Sequence, residues 1–105
     1  MNFKELKELN LSYNNISDIK VLENVKFEKL EKLDLSENQI SNNIDILKNV
    51  NFKELKELYL NSNNISDIKV LENVKFEKLK LLYLYSNKIS KDNSIISKLK
   101  FNINI

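Results

Sequence analysis

Asp34 and Glu57 could face each other as a carboxylate pair for general acid–base work, and a Ser with a Lys base is a formal alternative for nucleophilic chemistry. Neither arrangement is completed by its surroundings. Lys32 falls in one strip between Glu8 and Glu57, which makes an alternating charge ladder rather than a catalytic dyad. No Ser has a neighbouring segment that would supply an oxyanion nest. The chain contains no His and no Cys, so imidazole bases, thiol nucleophiles, disulfides and ordinary zinc or haem sites are excluded. It also contains no Gly, which removes phosphate-cradling loops, and no oxygen-rich calcium loop is present. The expectation is therefore a protein without catalysis, metal or cofactor.

The charge pattern points the same way. All 17 basic residues are Lys, they meet 15 acidic ones, and the net charge is only +2. In KELKEL and FEKLEK the two signs alternate, which is the mark of a solvated face and not of a nucleic-acid footprint. Apolar residues make up 42% and charged ones 30%, a globular balance. The most frequent residues are Asn, Leu, Lys and Ile, while Gly, Pro, Ala and Arg are missing; a genome rich in A and T accounts for that alphabet without any functional cause. No apolar run approaches the ~18 residues that span a membrane. The opening MNFKELKEL has no apolar signal region, so a cytoplasmic location without membrane contact is expected.

The elements that must position these residues are revealed by self-similarity. Phe recurs at 3, 27, 52, 76 and 101, and Asn14, Asn38, Asn63 and Asn87 keep the same beat. Of the 47 positions in 3–49, 31 are identical to the residue 49 places later, and the block at 14–30 recurs unchanged at 63–79. Apolar residues fall in fixed columns, among them Leu9/Leu33/Leu58/Leu82 and Ile16/Ile40/Ile65/Ile89. Their spacing changes within each unit from period 2 to period 3, which predicts a short strand, a turn and a tight helical arc. One such coil cannot enclose a core, whereas stacked coils turn each column into a continuous ladder.

LKELNLSYNNI, LEKLDLSENQI, LKELYLNSNNI and LKLLYLYSNKI resemble the L-x-x-L-x-L-x-x-N-x-L segment of leucine-rich repeat proteins. The resemblance covers residues 3 to about 99 and implies an α/β architecture: a right-handed solenoid with a parallel concave sheet and short helical or irregular convex arcs. It also implies partner binding, usually of protein, by the concave face. The expected sheet has four strands, with a fifth if the tail FNINI pairs through Phe101, Ile103 and Ile105. The whole of 1–105 is read as one repeat domain, with units at about 3–26, 27–51, 52–75 and 76–100 and a tail at 101–105.

Within this frame the Asn ladder is structural, because an amide can satisfy backbone groups that the turn strips from the sheet. Asp18 and Asp67 are expected N-caps, and positive φ is expected to fall to Asn, as at Asn14, Asn15, Asn42 and Asn43. The outward strand positions supply the candidate binding residues. They are Lys32, Glu57 and Leu81 in one column, Asp34, Tyr59 and Tyr83 in the next, and Asn61 and Tyr85 in the third. Tyrosines on neighbouring strands suit a protein-binding patch, and they equally suit stacking on each other. Only Met1 and Asn2 precede the first Phe, so the ladder's ends are expected to lack full caps, which opens self-association through them, or a place in a longer array, as the alternative role.

Overall fold

The computed structural model describes residues 3–90 and 93–105. Met1 and Asn2, read as offering no cap, lie outside the described residues, as do Lys91 and Asp92 of the last arc. Five strands form one open sheet: β1 (Glu8–Asn10), β2 (Lys32–Asp34), β3 (Glu57–Tyr59), β4 (Leu81–Tyr83) and β5 (Asn102–Asn104). All neighbours are parallel, and their order in the sheet is their order in the chain. The tail therefore does supply a fifth strand. The returning arcs carry helical segments η1 (Lys20–Glu23), η2 (Ser41–Asn49), η3 (Lys69–Asn73) and η4 (Ile96–Lys98), every one of the tighter three-residue-per-turn type. Most are brief, as the period-3 spacing predicts, but η2 runs for nine residues.

The register is the one the columns require. Leu9, Leu33, Leu58, Leu82 and Ile103 pair successively across the sheet, pointing their side chains to one face. Leu33, Leu58 and Leu82 are fully enclosed, and so are Leu30, Leu55, Leu60 and Leu84 from the adjoining columns. Each such Leu contributes roughly 1.5–3 kcal/mol of burial. Phe27, Phe52 and Phe76 form a buried spine whose rings lie 5.5 and 6.3 Å apart, with Phe3 stacked at 5.8 Å on its exposed end. Phe101 departs from this column. Each earlier Phe precedes its ladder Leu by six residues, whereas the register places Ile103, two residues after Phe101, beside Leu82.

The turns explain how so short a strand can end cleanly. The residue before each ladder Asn is left-handed, with φ of 60° at Tyr13, 55° at Glu37, 60° at Ser62 and 56° at Ser86. Asn15 is left-handed as expected, and so is its counterpart Asn64, but Asn14, Asn42 and Asn43 are not. The position is dictated by where the chain must curl toward its Asn, not by which residue tolerates the conformation best. Left-handed backbone costs a non-glycine residue roughly 1–2 kcal/mol. Ser62→Gly should therefore stabilise the fold by roughly 0.5 kcal/mol after its extra unfolded-state entropy, seen as a raised denaturant midpoint at unchanged slope.

Asp18 and Asp67 do the work of caps from one residue further out than the N-cap position. Their Oδ1 atoms accept the N–H groups of Lys20 and Lys69 at 2.9 and 3.0 Å, satisfying the first amide of η1 and η3.

Candidate functional site

The Asn ladder fixes where the sheet stops and so where its solvent face ends. Asn38 accepts the N–H groups of Asn14 and Ile16 on Oδ1, both at 2.9 Å, and donates from Nδ2 to the carbonyls of Leu11, Leu35 and Ser36. Asn87 repeats the pattern, accepting from Asn63 and Ile65 and donating to Leu60, Leu84 and Tyr85. Each amide thus ties its own coil to the preceding one. These side chains are consumed by the fold and are not free for a ligand, which agrees with the structural role read from their spacing.

The sheet's outer face carries two kinds of surface. In the first two coils the middle column is polar and closed on itself: Asn10 Oδ1 accepts from Ser12 N–H and Oγ–H at 2.9 and 2.6 Å, and Asp34 Oδ1 does the same for Ser36. In the next two coils Tyr59 and Tyr83 replace the short acceptors, and the rings stack at 4.3 Å and 12°. Tyr85 stands against Tyr83 in a T-shaped contact at 6.5 Å and remains 44% exposed. Pairing across β3 and β4 places the stack where the spacing of the sequence put it, because Tyr59 and Tyr83 are directly opposed in the register.

Charges surround the rings. The Lys32 ammonium lies 5.3 Å from the Tyr59 centroid on one side, and Tyr59 Oη–H donates to Glu57 at 3.0 Å. Burial, followed by that hydrogen bond to a carboxylate, pushes the Tyr59 phenol well above the ordinary tyrosine range. Asp34 and Glu57 do not oppose each other: Asp34 pairs with Tyr59, and Glu57 with Lys32 and Leu81. Lys32 in turn reaches Glu8 at 4.0 Å. Leu81 is half-buried beside the stack.

Asn61 occupies an outward strand position but is not exposed. It is 6% exposed, and its Oδ1 has no hydrogen-bond partner within the protein. Its column neighbours, Ser36 and Tyr85, flank it from the adjoining coils. Glu37, not among the residues singled out from the sequence, is exposed on the next column. Among the described residues Glu5, Glu8, Glu31, Glu54 and Glu72 each meet a Lys within ion-pair distance, whereas Asp34, Glu37 and Glu57 do not, a lack they share with Asp18, Glu23, Glu28, Asp45, Asp67 and Glu77 away from this face. The signal available in the sequence was that Glu37 shares its column with Tyr13, Ser62 and Ser86, none of them basic.

No helix among the described residues is long and apolar enough to cross a membrane. A family model described as Leucine Rich repeats (2 copies) matches residues 4–49 and again 28–73. Together the two matches extend over about two thirds of the chain. No curated protein matches it.

Proposed function

The chain belongs to the leucine-rich repeat family, and from that premise we propose that it is a non-catalytic protein-interaction module which binds its partner across the outer, concave face of the sheet. Repeats of this family commonly serve as protein–protein interaction modules. The observation that carries the reading here is the tyrosine cluster, in which Tyr59 and Tyr83 are held rigid by stacking while Tyr85 stays exposed beside them. Rigid aromatic side chains lose little entropy on contact, which is why they dominate interface energies. A cytoplasmic setting is part of this proposal.

Size bounds the affinity. Five strands at about 4.8 Å spacing span only ~19 Å, so the outer face offers a few hundred Å², whereas a stable interface takes about 800 Å² per partner. Tight binding would draw on the flanks or on additional coils. Replacing Tyr59, Tyr83 and Tyr85 together by Ser should weaken capture of the physiological partner on the order of 100-fold, the equivalent of losing about 2.7 kcal/mol at the hot spot. The comparison is a quantitative pull-down with wild-type and triple-variant protein, each checked by its thermal melt. Undiminished capture by a folded triple variant refutes the reading.

A second reading is favoured by the first coil. Phe3 is 41% exposed, and Leu6, Leu9, Leu11 and Ile16 are only partly covered, whereas their counterparts Phe52, Leu55, Leu58, Leu60 and Ile65 are enclosed. A second copy stacked on this end would bury them. Sedimentation over a concentration range distinguishes the two, since self-association predicts a rising mass and a simple concave binder a constant one.

A further inference from the structure

The outer sheet face holds more hydrogen-bond acceptors than the chain itself can satisfy, and its charge opposes that of the molecule. At its outward positions Glu8, Asp34, Glu37 and Glu57 are acidic and Lys32 alone is basic, with Lys7 and Lys56 beside Glu8 and Glu57 at the rim, while the whole chain carries +2. Lys32 is already committed to Glu8 and to the face of Tyr59. That leaves the Asp34, Glu37 and Glu57 carboxylates without an ion pair among the described residues. Carboxylates without cations call for a group rich in N–H.

The aromatic cluster reinforces this. Lys32 shows within the molecule how an ammonium rests on a tyrosine here, its charge over the ring. On the far side of the stack Tyr83 has no further ring against it among the described residues, because the neighbouring strand presents Asn104 in that column. A cationic side chain laid across Tyr83 beside Tyr85 would mirror the Lys32 contact, with half-buried Leu81 available to its methylenes.

We propose that the concave face receives a basic segment of its protein partner, with Lys or Arg side chains placed on the Asp34, Glu37 and Glu57 carboxylates and across the Tyr83 ring. This rests on the concave-face reading and gives it a partner chemistry. The rest of the molecule argues against a trivial origin for such binding, since its net positive charge would by itself favour an acidic segment.

The test uses the intact chain and two synthetic peptides of equal length, one alternating Lys and Ser, the other Glu and Ser, followed by fluorescence anisotropy. The Lys peptide is expected to bind with an affinity that falls as salt rises, and the Glu peptide not to bind. Asp34→Asn with Glu37→Gln should weaken the Lys peptide about tenfold. The fold should tolerate the first change, because Asn10 makes the same pair of bonds to Ser12 that Asp34 makes to Ser36. Tyr83→Ser should weaken it again, whereas Lys98→Ser, in η4 on the returning arc, should not. Equal binding of the Lys peptide to wild type and the Asp34→Asn, Glu37→Gln protein overturns the proposal, as does its failure to bind. Binding of the Glu peptide that is lost in Tyr83→Ser overturns the basic partner but leaves the concave surface standing. If the captured physiological partner is indifferent to the tyrosines, the concave reading itself falls.

Discussion

Asn63→Ala should destabilise the protein by about 3–5 kcal/mol, while Asn14→Ala, the same change at the equivalent position one super-repeat earlier, should cost about 1 kcal/mol. Asn63 is wholly enclosed. Its Nδ2 donates to the carbonyls of Leu35, Leu60 and Asn61, and its Oδ1 accepts from Ile40 N–H at 3.1 Å. Removing the amide orphans the Ile40 N–H in the interior, at roughly 1–3 kcal/mol, and takes one of two donors from the Leu35, Leu60 and Asn61 carbonyls, which keep Asn38 Nδ2, Asn87 Nδ2 and Glu37 N–H, at roughly 0.5–1.5 kcal/mol per lost bond. Asn14 makes only two such bonds, to Leu11 and Ser12, in an exposed coil where water can replace them. A domain of this size has roughly 5–15 kcal/mol in all. Chemical denaturation of both variants gives the comparison directly. Equal losses would mean that the ladder is not the inter-coil tie described above.

Leu58→Asp should abolish cooperative folding at neutral pH. Leu58 has no exposed surface and lies at the middle of the sheet between Leu33 and Leu82. The substitution removes about 2–3 kcal/mol of apolar burial and forces a carboxylate into the ladder, where desolvation adds several kcal/mol more. The sign of its pH dependence follows. Burial would raise the new carboxyl's folded-state pKa above the unfolded value, so the fold would be less impaired below the ordinary carboxylate range and most impaired above it. Leu58→Met, which keeps the volume, should cost less than about 1.5 kcal/mol and serves as the control for position alone. A wild-type melt from Leu58→Asp at neutral pH would be incompatible with the stacked interior.

The coil architecture was legible because each ladder position recurs every 24 or 25 residues with the same residue type, so register could be counted without knowing any distance. The tyrosine stack was legible for the same reason: two aromatic side chains at one column position must meet across parallel strands. The burial of Asn61 was not. Its exposure depends on what covers it from neighbouring coils, which alternation along a single strand does not register.

The left-handed turn residues show the same division. Composition suggested Asn for them, yet Tyr13, Glu37, Ser62 and Ser86 take the conformation because the chain must curl one residue ahead of each ladder Asn. There the requirement of the coil outweighs the roughly 1 kcal/mol preference of the individual residue.

The duplicated block at 14–30 and 63–79 separates the two levels most clearly, since its sequence is the same twice. By itself the sequence determined the path: both copies place Ile19 and Ile68 inside, cap the arc with Asp18 and Asp67, and form a short helical turn at Lys20–Glu23 and Lys69–Asn73. The tertiary structure decided what each copy buries. Val21 is 66% exposed and Val70 only 7%, and Asn14 is exposed where Asn63 is sealed. Among the described residues the first copy has a neighbouring coil on one side, whereas the second is covered on both. Local interactions depend on residues a few positions apart and are repeated whenever the sequence is, but burial depends on the coils next door, and those differ.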